Sequence, residues 1–365
     1  MGLLPKKSQG SKESERKPSP ILNLPFDVLL HISTFLPPRY LSVLTRTCRA
    51  LRRALAPELV NRPVPLTADN MASFSAFMHT SDSAAPICTD ADEDDDGTRF
   101  SLLRSVRIDP VAGHSRRALS PAQMAHAIKE LLQRARSLTR LSLSEVSYAF
   151  SPRQIRTALA LLPALESVSL GGLTGEYTSV LADVRAPLRS VTLHTGRWNT
   201  PDALACVAQH HATLEVLSFR LGGESFALPD DPEFPVMHRV RELRFGWLAG
   251  GEDATRNLMR LFPNARRVRI DAIAMSRVLL INPASDAARE RRAAGKALQQ
   301  KSQPEECWTK LDVLSVRSLA ELYFLALPCA VAHLNVRAIG GDGGGIGRVV
   351  RQGPRALSSS SVRVR

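Results

Sequence analysis

The chain has 365 residues, 44% apolar and 23% charged, which permits a substantial core and excludes a wholly disordered protein. At this length two domains are expected, or one domain followed by a long array. Lys and Arg outnumber Asp and Glu by 48 to 35, a net charge of +13; the excess gathers at the two ends and comes with only 5% aromatics, which argues against nucleic-acid binding.

The five cysteines, Cys48, Cys88, Cys206, Cys307 and Cys329, are odd in number and contain no C-x-x-C pair, so neither a zinc finger nor a disulfide scaffold is expected. The longest apolar run, Leu322 to Ala332, is interrupted by Pro328 and is too short for a bilayer, which needs about twenty residues. Residues 1–20 carry charge but no apolar core segment, unlike a secretory signal. A cytoplasmic or nuclear location is expected.

Residues 1–20, rich in Lys, Ser and Pro, read as a disordered leader. Helical order is expected from Pro25, which suits a helix start, with Asp27 at the positive end of the dipole. Val28, Leu29, Ile32, Phe35 and Leu36 then recur at helical spacing until Pro37-Pro38. A second short helix carries Leu41 and Leu44. A third carries Cys48, Leu51 and Leu55 among Arg46, Arg49, Arg52 and Arg53, with Pro57 expected to close the unit. Three helices in about 40 residues bury little surface, which leaves apolar side chains for a partner or for the rest of the chain.

The order Leu24-Pro25-x-Asp27-x-Leu29-x-x-Ile32-x-x-x-Leu36, then Leu41-x-x-Leu44, then Cys48-Arg49-x-Leu51 closely resembles the F-box motif. Leu51 stands where that family often has an aromatic residue. The resemblance implies an F-box-like helical motif over residues 21–60 that docks on the Skp-type adaptor of a cullin ubiquitin ligase. The implied adaptor-binding residues are Leu24, Pro25, Leu29, Ile32, Leu36, Leu41 and Leu44.

Residues 61–99 read as a helical linker and an acidic loop. Within it Asp92-Glu93-Asp94-Asp95-Asp96-Gly97 imitates the first half of an EF-hand, but the twelfth position, where a bidentate acid is needed, is Leu103. An acidic linker is the expectation.

From residue 100 to 339 one apolar triplet returns nine times, with the second member three residues after the first and the third two residues later. The triplets are Leu103/Val106/Ile108, Leu138/Leu141/Leu143, Leu165/Val168/Leu170, Leu188/Val191/Leu193, Leu214/Leu217/Phe219, Val240/Leu243/Phe245, Ala265/Val268/Ile270, Leu311/Leu314/Val316 and Val331/Leu334/Val336. Helices are expected between them, three opening on Ser120-Pro121, Ser151-Pro152 and Thr200-Pro201. A strand-turn-helix unit of this size cannot bury its apolar face alone, and stacked copies would form a curved solenoid with a parallel sheet. The pattern resembles a leucine-rich repeat. The polar ladder position of that family holds Val111, Val146, Leu173, Gly196, Gly222, Leu248, Ile273, Leu319 and Ile339 here, so the repeats are divergent. A looser α/β layer packing is the alternative. Residues 283–306 read as an insertion and 340–365, Gly-, Ser- and Arg-rich, as a disordered tail.

No catalytic residue, cofactor or metal site is expected. Gly340 to Gly347 lacks the Lys and Ser/Thr of a phosphate loop, and the adjacent His210-His211 cannot chelate as an i, i+4 pair. Between the apolar positions of the last five repeats, the outward set contains Arg220, Arg244, Arg267, Arg269, Arg317 and Arg337 against two acids. Arginine forks suit carboxylate and phosphate, so these residues are the expected target-binding set for an acidic or phosphorylated segment.

The whole chain therefore reads as an α/β protein: a three-helix F-box followed by a leucine-rich-repeat-like solenoid. The function that follows is the noncatalytic substrate receptor of a Skp-cullin-F-box ligase, with no membrane partner. A repeat scaffold without a ubiquitin link is the second reading. It would cover Leu24, Leu29 and Ile32, which the first leaves open.

Overall fold

A computed structural model describes residues 24–47, 49–79, 99–112, 118–177, 179–195, 200–221, 228–229, 231–246, 248–249, 254–271, 273–274, 308–317 and 329–336, with a few isolated positions beyond. The leader, the acidic run, nearly all of 283–306, most of the tail, Cys48 and Arg337 lie outside them. Contacts divide the chain into two compact units, residues 1–62 and 63–365.

The first unit contains three helices, α1 (Phe26–Phe35), α2 (Pro38–Thr47) and α3 (Arg49–Asn61). Pro25 caps α1, and Pro38 opens α2 as well as ending the segment before it. Helix α3 packs on both of the others around Leu41, Leu51 and Leu55, with Leu29, Leu44 and Leu59 closing over them. It runs through Pro57, which was expected to end it. A mid-helix proline removes one backbone hydrogen bond, but Leu59 and the fully buried Val60 lie beyond it, and their packing carries the helix on.

In the second unit the strands follow chain order: β1 (Val64–Thr67), β2 (Ser105–Asp109), β3 (Arg140–Leu143), β4 (Ser167–Leu173), β5 (Ser190–Thr195), β6 (Val216–Leu221), β7 (Glu242–Phe245), β8 (Leu248–Ala249), β9 (Arg267–Ile270), β10 (Ile273–Ala274), β11 (Lys310–Val316), β12 (Ala330–Val336) and β13 (Val350–Arg351). Ten of them form one parallel sheet in the order β1-β2-β3-β4-β5-β6-β7-β9-β11-β12, with β13 added antiparallel at the edge. Each strand lies beside its predecessor in the sheet, as in a solenoid-like α/β fold. The pair β8–β10 forms a second, two-stranded parallel sheet.

The register aligns the apolar triplets. Val106, Leu141, Val168, Val191, Leu217, Leu243, Val268, Leu314 and Leu334 are successive lateral partners. Seven of the strands are tied to the unit before them in the same way. The carbonyls of Arg104, Thr139, Glu166, Arg189, Glu215, Arg241 and Arg266 each accept from two consecutive N–H groups of the next unit, at 2.8–3.2 Å. The triplet positions are buried in the first eight repeats and half-buried on β12 at the edge.

Helices α4 (Met71–His79), α5 (Pro121–Arg134), α6 (Val146–Ala149), α7 (Pro152–Ala160), α8 (Thr200–Ala208) and α9 (Ala254–Leu261) supply the other half of this core. Met124, Ile128, Leu131 and Leu132 of α5, Ile155 and Leu159 of α7, and Leu258 and Met259 of α9 are buried. Both Ser-Pro starts are full capping boxes: Ser120 accepts from the Gln123 N–H and Ser151 from that of Gln154, and each glutamine reaches back to the cap N–H. Trp308 Nε1 donates to the Phe262 carbonyl at 2.7 Å, tying the segment before β11 to the end of α9.

One strand stands where a helical linker was expected. Val64–Thr67 is β1, with Val64 and Leu66 level with Val106 and Ile108. The corresponding first triplet position is Asn61, which is polar, so the recurring pattern is incomplete there.

Candidate functional site

On α1 the inward positions are Leu29, Ser33 and Leu36, and the outward ones are Val28, Ile32 and Phe35, continuing from Leu24 before the helix. Leu24, Val28, Ile32 and Phe35 follow at intervals of four, four and three, which makes one stripe along the helix. All four are exposed, Phe35 to 74%. On α2 Tyr40 and Val43 are exposed by half or more. His31 meets Phe35 edge-on with ring centroids 5.1 Å apart.

This sorts the expected adaptor-binding residues. Leu24, Pro25 and Ile32 are exposed; Leu29, Leu36 and Leu44 are half-buried. Leu41 is completely buried in the centre of the inter-helix core. Its place is explained by α3 packing directly over it, so in the free chain it offers no atom to a partner. Val28 and Phe35, which the sequence groups with Leu29, Ile32 and Leu36 on one apolar face, point outward, and Tyr40 and Val43 are outward apolar residues that the sequence did not single out. The signal that could have separated Val28 and Phe35 is their three-to-four-residue interval from Leu24 and Ile32, about a quarter turn around the helix from Leu29 and Leu36.

Two arginines, Arg52 on α3 and Arg62 just past its end, hold the stripe in place. Arg52 Nε donates to the Thr45 carbonyl in the last turn of α2 at 3.2 Å. Arg62 donates to the Ser33 and Leu36 carbonyls at the end of α1 while its Nε lies 3.3 Å from Glu58. A cation at a helix C-terminus meets carbonyls that have no helical partner.

Residues 21–57 are an F-box domain. The match covers about a tenth of the 365 residues and ends before Arg62. An F-box domain implies binding to a Skp-type adaptor and, through it, to a cullin, and proteins that carry one are typically noncatalytic receptors. No curated protein matches the chain.

The second surface is the sheet face opposite the buried triplets. In register from β2 to β11 its middle column reads Arg107, Ser142, Ser169, Thr192, Ser218, Arg244, Arg269 and Ser315. The sheet therefore brings Arg244 beside Arg269, and Arg267 beside Glu242. Both members of the first pair already have an acid two residues away in the chain. Arg244 Nε donates to Glu242 at 2.7 Å and Arg269 Nε to Asp271 at 2.9 Å. Arg220 stands beside His194 on β5, and Arg317 is exposed just beyond β11. Burial, and then the nearby Arg220, hold His194 below the usual histidine range.

Elsewhere the titratable groups are structural. His210 is buried just after α8, not within it, and its burial lowers its proton affinity. His211 contacts the Ala208 carbonyl at 3.0 Å. Burial pushes the Cys206 thiol up to about 12, which keeps it from acting as a thiolate. Among the described residues no group of three His, Cys, Asp or Glu side chains is placed to hold a metal, and no helix is long and apolar enough to cross a membrane.

Proposed function

We propose that this chain is the substrate receptor of a Skp-cullin-F-box ubiquitin ligase, with a leucine-rich-repeat-like domain that captures a protein target. The observation that carries it is the exposed apolar stripe Leu24, Val28, Ile32 and Phe35 lying within the segment that matches the F-box domain. Tyr40 and Val43 on α2 extend the apolar surface. Leu29, Leu36, Leu41 and Leu44 support that surface from beneath. Of the three residues that separate the two readings, Leu24 and Ile32 are exposed, and Leu29 is half-buried against Leu41, Leu51 and Leu55 of the helical unit itself.

The target surface in this reading is the open sheet face with Arg220, Arg244, Arg267, Arg269 and Arg317, facing an acidic or phosphorylated segment; Arg337, expected in the same set, lies outside the described residues. The receptor contributes proximity: holding the target beside a conjugating enzyme raises its effective concentration while another protein performs the chemistry.

The test is co-purification of the full chain with a Skp adaptor beside the Ile32→Asp, Phe35→Asp double variant. Both residues are exposed, so the variant keeps its fold. Stoichiometric recovery with the native chain, lost in the variant, is the expected outcome. No recovery with a folded native chain would favour the scaffold.

A further inference from the structure

Arg244 and Arg269 on the open face each hold a carboxylate two residues away in the chain, Glu242 on the same strand and Asp271 just past β9. One basic pair departs from that arrangement. His194 on β5 and Arg220 on β6 are lateral partners, so their side chains leave the same face about 4.8 Å apart. Neither β5 nor β6 contains an acidic residue. Thr192 and Ser218 are the adjoining partners on that face. Ser218 is only 3% exposed although it lies on the face opposite the buried triplets. Two basic groups and two hydroxyls converge there without a carboxylate from either strand.

On the other side of His194 the β4 ladder shifts register between Leu170 and Leu173, so that Gly171 and Gly172 flank it and present no side chain. The Glu145 carboxylate lies against Gly172. Among the described residues, the charged groups on the elements beside His194 are Arg220 on β6 and, beyond β4, Glu145 against Gly172.

We propose that the His194–Arg220 pair, with Thr192 and Ser218, is the seat for an oxyanion of the target, a phosphate ester or a side-chain carboxylate. This rests on the open face being the target surface, and it moves the anion contact away from Arg244 and Arg269, whose guanidinium groups are already engaged. A second consequence is proton uptake. Burial and the Arg220 charge keep His194 neutral near pH 7 in the free chain. An anion seated between the two groups offsets the Arg220 field and favours the imidazolium, which takes its proton from solvent. By linkage the anion then binds more tightly as pH falls through the histidine range.

The test is histidine-selective NMR of the full chain, whose nine histidines are assigned with a His194→Gln variant, titrated with inorganic phosphate and separately with acetate at constant ionic strength. The His194 midpoint is expected to rise by about half a pH unit or more in phosphate. In Arg220→Gln, where the exposed guanidinium is lost, the midpoint starts higher and the anion response disappears. An equal response to acetate assigns the seat to an acidic side chain, and a response to phosphate alone assigns it to a phosphorylated residue. Anion-dependent shifts of the Arg244 and Arg269 guanidinium signals with an unmoved His194 would overturn the seat and leave the face as target surface. No response at either place would sink both.

Discussion

Arg62, just past α3, does for α1 what Arg52 on α3 does for α2: each closes the carbonyl end of a helix that carries outward apolar residues. Arg62 lies five residues past the end of the F-box match, so the segment recognisable as that domain leaves out one of the groups that fixes its first helix. Removing it leaves the half-buried Leu36 carbonyl to find water and the Ser33 carbonyl with only the Leu36 N–H. Arg62→Ala is expected to cost about 1.5–3 kcal/mol, the usual worth of hydrogen bonds to a charged donor, and to weaken adaptor capture without touching any apolar contact. Arg62→Lys, which keeps the charge but loses the fork, should fall between the two. Chemical denaturation alongside adaptor co-purification checks both, and an unchanged Arg62→Ala would assign α1 a different anchor. Nothing in the sequence around residue 62 announces this role, because a single arginine acquires it only through the approach of two helix ends 26 and 29 residues away.

At the scale of single elements, legibility depended on whether a residue's environment is local. The Ser120 and Ser151 caps could be read directly, since a cap bonds within its own first turn. The split of α1 into inward Leu29 and Leu36 and outward Val28, Ile32 and Phe35 could not, because apolar residues lie all around that helix and only the position of α3 separates them. Turns between repeats are a third case. After β3 the chain passes through Glu145 with φ +49°, and after the straight part of β4 through Gly172 with φ +66°. A Cβ at Gly172 would lie 2.6 Å from the Glu145 Cα. The glycine is thus required twice, by its own backbone and by the turn of the previous repeat. Gly172→Ala should destabilise the sheet unit by about 1–3 kcal/mol, whereas Gly175→Ala, with no atom within 4 Å of its added methyl, should be nearly neutral. Thermal melts of the pair provide the check, and equal effects would mean that the turn adjusts.

For the molecule as a whole, the nine triplets located the strands because alternation in a half-buried strand places every second residue in the core, and a sheet built strand by strand aligns equal positions. Phe219 and Phe245, third members of adjacent triplets, stack with centroids 6.2 Å apart. The tenth strand, β1, escaped because Asn61 interrupts its triplet. What it joins also matters: the boundary between the two compact units falls at residue 62, immediately before that strand. Each unit has its own core, Leu41, Leu51 and Leu55 in one and the stacked triplets in the other. A core drawn from three short helices supports only a few kcal/mol, while a ten-stranded ladder is stabilised by every neighbouring repeat. Two calorimetric transitions are therefore expected, with the helical unit melting first. Leu55→Ala, which removes about 2–5 kcal/mol from a buried leucine site, should abolish or sharply lower the first transition and leave the second where it was. A single transition that moves as one would instead mean that the helices and the ladder fold as one cooperative body.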